Sequence, residues 1–138
     1  MEQTNATFQL VEYRFPTFTF NSTVSTESKE NSLRLELSAS GNYTPVSRLF
    51  TVRIDLQLSS NEESVIQLRC EATFRFTSEL AAIPEYFYAN SIAIVYPYIR
   101  AFCSLMTTQS NNTHIILPVL NLTQLGEELK QNTTILER

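Results

Sequence analysis

The tightest constraint in this 138-residue sequence is a strict alternation of apolar and polar residues over two neighbouring stretches. Phe50, Val52, Ile54, Leu56 and Leu58 interleave with Thr51, Arg53, Asp55 and Gln57. Ile66, Leu68, Cys70, Ala72, Phe74 and Phe76 interleave with Gln67, Arg69, Glu71, Thr73 and Arg75. A period of two belongs to a strand with one face buried and the other wet, and it does not fit a helix. The polar run from Ser59 to Ser64 is a hairpin-type connector, so the two strands are expected to pair antiparallel.

Two further strands precede them. Leu33, Leu35 and Leu37 alternate with Arg34, Glu36 and Ser38, and Gly41-Asn42 reads as the turn that ends the segment. Nearer the start, Phe8 and Leu10 share one phase, Tyr13 and Phe15 the other, and Phe18 and Phe20 the first again. A phase that flips and returns marks a bulge or bend, and Pro16 suits an edge strand. The segment is therefore a long, bent edge strand.

After Thr77 the period changes. Ile92, Val95/Tyr96, Ile99, Phe102/Cys103 and Met106 recur at helical spacing, which predicts a helix from about Asn90 to Thr108. Pro97 either opens its regular part or kinks it. A polar break, Gln109–Thr113, leads to the apolar segment Ile115–Leu120. Leu122, Leu125, Leu129 and Leu136 mark a second helix, with Asn121 as N-cap and Gln124 as a capping-box partner. The fold class is α+β: a four-stranded antiparallel sheet followed by two helices packed on one side, in a single domain over residues 1–138.

Several functions lack the residues they need. The net charge is −4 with no Lys/Arg cluster, which speaks against nucleic acid. Only two glycines occur, too few for a glycine-rich phosphate loop. His114 is the only histidine, so neither a Cys/His nor a Ser/His/Asp constellation can be assembled around a motif, and a zinc site lacks ligands. Glu62-Glu63 and Glu127-Glu128 sit in polar contexts that suit solvated charge. The chain is therefore read as no enzyme, with no cofactor and no metal. The polar start Met1–Asn5 carries no leader pattern and no stretch reaches the length of a membrane span, so a cytoplasmic protein with buried free thiols at Cys70 and Cys103 is expected. The Asn-x-Ser/Thr triplets at Asn5, Asn21, Asn42, Asn111, Asn121 and Asn132 then follow from composition alone.

What stands out is apolar and aromatic content outside the regular elements: Ile83, Pro84, Tyr86, Phe87, Tyr88 and Ile115–Leu120. Such residues either plug the ends of a small core or line a groove that receives another chain.

From Ser91 to Leu125 the sequence resembles the SecB-type protein-export chaperones. Pro97-Tyr98-Ile99-Arg100 is similar to the family's Pro-Tyr-x-Arg on its main helix. Leu117-Pro118-Val119-Leu120-Asn121-Leu122 is similar to its Pro-Val-Asn-Phe stretch with one residue inserted. Upstream, Phe8-Gln9-Leu10 resembles the opening strand and Cys70-Glu71 the Cys-Glu pair of the fourth. The resemblance implies an ATP-independent holdase and a homotetramer built as a dimer of dimers. It would bind unfolded polypeptide, either a secretory precursor passed to the SecA motor or an aggregation-prone antitoxin. It places the client groove at Ile116, Leu117, Pro118, Val119, Leu120 and Leu122, with Phe74, Phe76, Phe87 and Tyr88 as the opposite wall, and a charge at Leu117 or Leu120 is expected to weaken client binding without unfolding the protein. Glu71 keeps an acid associated with motor docking, but Thr17 and Asn21 stand where the family has acids, Arg69 replaces an apolar neighbour, and the family's long C-terminal tail is missing. The alternative function is an adaptor that docks one folded protein partner.

Overall fold

The computed structural model describes residues 7–23, 33–78, 82–109, 115–118 and 120–136. The order of elements is β1 (Phe8–Phe20), β2 (Leu33–Thr44), β3 (Leu49–Ser60), β4 (Glu63–Phe76), α1 (Glu85–Thr108), α2 (Thr123–Gln131) and β5 (Thr133–Ile135). They form one sheet of five strands in the order β1-β4-β3-β2-β5. All neighbours are antiparallel except β5, which runs parallel to β2.

The two alternating stretches are the centre of the sheet. Phe50, Val52, Ile54, Leu56 and Leu58 of β3, and Ile66, Leu68, Cys70, Ala72, Phe74 and Phe76 of β4, are buried in one cluster with Phe87, Ile92, Val95, Ile99 and Cys103 of α1 and Leu125 and Leu129 of α2. Both helices therefore cover the same face, and the polar residues of the alternation form the other. The hairpin between β3 and β4 is tighter than its polar run suggests. Only Asn61 and Glu62 lie outside the strands, and both have positive φ (50° and 70°), as two-residue hairpin turns of the common type require.

Strand β1 is the bent edge strand that its phase flips predict. Its pairing with β4 slips between Leu10 and Glu12 and again between Arg14 and Thr17, and each extra residue restores the aromatic side chains to the helix-covered face. Tyr13 there stacks on Tyr98 at 4.4 Å between ring centroids, and Phe15 on Phe102 at 4.0 Å.

Three expectations are corrected. Strand β2 does not turn at Gly41-Asn42 but continues to Thr44, and the chain turns over Pro45–Arg48 instead. Gly41 serves close packing: a Cβ there would stand 2.6 Å from a ring carbon of Phe50. Helix α1 starts at Glu85, five residues earlier than expected, and carries Pro97 in its interior. Pro97 and Ala93 both lie on the exposed side, so the carbonyl that proline leaves without a helical donor can be hydrated. Helix α2 ends at Gln131, and the leucine spacing towards Leu136 misleads, because Thr133–Ile135 form a fifth strand rather than a last helical turn. Three β-branched residues in a row favour that outcome. Asn132 makes the change of direction: its carbonyl accepts the Gly41 N–H at 3.2 Å and its side-chain amide donates to the Ala39 carbonyl at 3.1 Å.

Candidate functional site

The apolar segment between the helices is held along α1 by hydrogen bonds to its backbone. The Ile115 N–H donates to the Thr107 hydroxyl at 2.8 Å, Arg100 Nε donates to the Leu117 carbonyl at 3.0 Å, and the Tyr96 hydroxyl donates to the Pro118 carbonyl at 2.8 Å. Burial pushes the Tyr96 pKa up, which keeps this hydroxyl a neutral donor. Residues 107, 100 and 96 descend the helix as 115, 117 and 118 ascend the chain, so the linker runs antiparallel to α1. Its side chains alternate: Leu117 is 1% exposed while Ile116 is 65% exposed, and Pro118 is exposed as well.

The linker then reaches α2. There the Asn121 side chain accepts the Thr123 N–H at 3.1 Å, so Asn121 supplies the expected capping oxygen, one residue before the helix boundary at Leu122. Gly126 lets α2 sit against α1, since a Cβ would stand 2.9 Å from the Ala89 Cα, and Lys130 pairs with Glu85 at 2.9 Å. Between the linker, α2 and β2 lies an open hollow of about 670 Å3. Leu35, Leu37, Leu120, Leu122 and Leu125 supply its apolar lining, and Asn121, Gln124, Glu127, Glu128 and Gln131 its polar rim.

The sequence-predicted groove residues divide. Leu120 and Leu122 line this hollow, half-buried. Ile116 and Pro118 face outward from the linker, and Val119 lies outside the described residues. Leu117 belongs to the core, so an aspartate there would unfold the chain rather than report on a groove. Phe74, Phe76 and Phe87 are 0% exposed and cannot form a groove wall in this subunit. The Phe87 ring packs among Phe8, Phe50, Phe74 and Phe76 with centroids 4.6 to 5.5 Å away. Tyr88 is half-buried beside Phe50 and Phe87. Leu35 and Leu37, which also line the hollow, are not among the groove residues that the sequence suggests. Their alternation shows in the sequence, but their position beside α2 depends on the order of strands in the sheet.

The opposite face of the sheet is polar. Glu71, 14% exposed, accepts from Arg14 at 2.8 Å on one carboxylate oxygen and from Arg53 at 3.1 Å on the other. Partial burial works against its charge, but the Arg53 and Arg14 guanidiniums outweigh this and hold the carboxyl below its ordinary range. Arg69 pairs with Asp55 at 2.8 Å across the same face. Cys70 and Cys103 are free and buried, and burial pushes both thiols up to about 12, which leaves them unreactive near neutrality. Among the described residues no group of three or more His, Cys, Asp or Glu side chains could hold a metal ion, and no helix is long and apolar enough to cross a membrane.

No known family model matches the sequence, and no curated protein matches it. Solved structures do. A SecB-like chaperone of Mycobacterium tuberculosis, determined in complex with a peptide from an antitoxin, superposes with a TM-score of 0.66 at 20% identity, covering 82% of this chain and 90% of that one. The fold is SecB-like. A Streptococcus agalactiae protein of unknown function matches more loosely, with a TM-score of 0.48 at 13% identity over 81% of this chain and 97% of that one. Within the SecB-like frame, Pro97-Tyr98-Ile99-Arg100 lies on α1, where Arg100 holds the linker. Cys70-Glu71 lies on β4, with the thiol in the core and the carboxylate on the polar face.

Proposed function

We propose that this chain is an ATP-independent holdase that keeps unfolded or aggregation-prone polypeptide from associating. The observation that carries the reading is the hollow beside α2, where leucines of β2 and the linker stay only half-buried on a scaffold with SecB-like topology. Such a surface gains from covering almost any apolar side chain, at roughly 25 cal/mol per Å2, and needs no catalytic group. The groove is assigned to Leu35, Leu37, Leu120 and Leu122, with Ile116, Pro118 and Tyr88 as flanking apolar surface.

Of the two client classes, a dedicated client such as an antitoxin segment is the better supported. Glu71, the acid expected to meet the SecA motor, has both carboxylate oxygens engaged by arginines of its own sheet. The M. tuberculosis neighbour was captured with an antitoxin peptide. The protein works in the cytoplasm as a homotetramer. Assembly is supported by the outer side of α1, where exposed Ala93, Ile94, Pro97, Tyr98, Ala101 and Leu105 include no charge, and by β1, whose outer edge has no partner among the described residues.

The test is suppression of aggregation, followed by light scattering, of a chemically unfolded client diluted into excess protein without nucleotide. A dose-dependent loss of scattering is expected, weakened by Leu120→Asp. Unchanged aggregation at a severalfold excess rejects the reading, and tight binding to one folded protein alone identifies an adaptor instead. Mass in solution checks the tetramer.

A further inference from the structure

Residues 132–136 carry two structural instructions at once. Leu122, Leu125, Leu129 and Leu136 keep one apolar stripe at helical spacing, so the pattern of α2 runs on past its end. Thr133, Thr134 and Ile135 are β-branched and favour a strand instead. In the structure the strand prevails, and β5 lies parallel on β2 at residues 41–43.

Helical bonding nevertheless continues into the junction. The Asn132 N–H donates to the Glu128 carbonyl at 3.0 Å, the bond that a continuing α-helix makes four residues back. One residue on, the Thr133 hydroxyl donates at 2.6 Å to the Leu129 carbonyl, the acceptor that its own N–H would take in a longer helix. Asn132 alone separates α2 from β5. It makes the turn at φ −105° and ψ 25°, against about −63° and −42° in a helix. Rotation at that single residue converts one state into the other.

The strand state is held by exposed contacts. Gly41 donates its N–H to the Asn132 carbonyl at 3.2 Å, Leu136 donates to the Tyr43 carbonyl at 2.7 Å, and the Asn132 side-chain amide donates to the Ala39 carbonyl at 3.1 Å. Thr134 is exposed, Ile135 is 61% exposed and Leu136 40% exposed, so leaving β2 gives up little apolar burial. A parallel pair is also slightly weaker per residue than an antiparallel one. In the helical state the N–H groups of residues 133–136 take the carbonyls of residues 129–132, and Leu136 joins the stripe of Leu125 and Leu129. One set of backbone bonds replaces another with little change in burial, which is the condition for two states close in free energy.

We propose that residues 132–136 form a strand–helix switch hinged at Asn132: as β5 they tie α2 to β2, and as an extension of α2 they release it and uncover the β2 edge at residues 41–43. The switch belongs to the fold and does not depend on the holdase reading, so its failure leaves that reading untouched.

NMR of the full chain tests it, with Cα chemical shifts of residues 133–136 reporting conformation and hydrogen exchange of the Gly41 amide reporting pairing. Asn132→Ala with Thr134→Ala removes the bond to Ala39 and one β-branch, and favours the helix. The shifts are expected to move from the strand side to the helical side of random coil. Gly41 exchange is expected to quicken about tenfold while Val52 and Ala72, in the central strands, keep their protection and show that the fold is intact. A pair of variants at Ile135 loses the same side chain in opposite directions. Ile135→Ala favours the helix and is expected to speed Gly41 exchange. Ile135→Pro blocks the helix but spares the strand, whose bonds to β2 run through Asn132 and Leu136, and is expected to slow it severalfold. Strand or random-coil shifts in the double variant overturn the proposal, as does equal Gly41 exchange in the two Ile135 variants. If the double variant does not fold, the Ile135 pair decides alone.

Discussion

Ile116 and Leu117 are adjacent, nearly equal in size and indistinguishable by hydrophobicity, yet the fold gives them opposite duties. Leu117 is 1% exposed and Ile116 is 65% exposed. Leu117→Ala removes buried methyl groups from a site whose backbone is tied at Ile115, Leu117 and Pro118 to Thr107, Arg100 and Tyr96, so the segment cannot easily sink to fill the space. The expected loss is about 3 kcal/mol, in the middle of the range for buried leucine truncations. With a urea dependence of about 2 kcal/mol per molar, the unfolding midpoint falls by about 1.5 M. Ile116→Ala is expected to stay within about 0.5 kcal/mol of wild type. Tyr96→Phe, which leaves the Pro118 carbonyl without its donor, is expected to cost about 1 kcal/mol. Combined with Leu117→Ala it should cost less than the sum, because both changes loosen the same segment. Urea denaturation monitored by circular dichroism measures all four variants. Equal midpoints for Leu117→Ala and Ile116→Ala would refute the seating of the linker and with it the position of the hollow.

Two further outcomes follow from particular contacts. Glu71→Gln is expected to lower stability by about 1–2 kcal/mol at pH 7, given two charge-assisted partners of which Arg14 is largely solvated. Because the folded carboxyl lies below its ordinary range, that contribution is complete above the unfolded-state value of about 4.3 and disappears as pH falls through the folded value, so thermal melts of variant and wild type should converge once the pH is below it. Gly126→Ala places a Cβ 2.9 Å from the Ala89 backbone, which cannot yield as a side-chain end would; a loss of roughly 1–3 kcal/mol by the same denaturation assay is expected, and a neutral result would show that α2 is free to shift off α1.

The sheet was legible wherever side-chain period carried the information. Strands β3 and β4 could be read from alternation, and even the two bulges of β1 were visible as phase flips, because a bulge must move every following side chain to the other face. What period cannot report is which elements lie on that face. Phe74 and Phe76 share the phase of Leu68 and Cys70, and the sequence does not say whether a helix or open solvent stands over them. The structure puts Phe87 of α1 there. Strand β5 is illegible in the sequence for a different reason: three residues are too few to show a period, and the leucine spacing of α2 extends numerically to Leu136. Leu35 and Leu37 were read correctly as strand residues, but their place in a site depends on β2 lying next to α2, a fact of sheet order that no local pattern encodes.

The walls of the hollow are held at the end of β2 that carries Gly41 and along α1. The linker is bonded to α1, while α2 packs Leu129 against β2 near Gly41 and is joined to that strand's backbone beyond its last turn, through Asn132 and β5. Among the described residues, no strand pairs with the outer edge of β2 at its leucines. Each half-exposed leucine gains on the order of 1 kcal/mol when a client covers it, so four supply a few kcal/mol, comparable to or below the entropic cost of association. One such groove therefore holds a short segment weakly and without much discrimination. That weakness suits a chaperone that must release what it holds, provided that several grooves act on one chain. A long unfolded client spanning grooves on neighbouring subunits converts each later contact into an intramolecular one. On the holdase and tetramer proposed above, the uncharged outer side of α1 and the hollow beside α2 would be two requirements of one function: the first would bring subunits together, and assembly would then give weak, promiscuous grooves enough combined affinity to keep a client from aggregating.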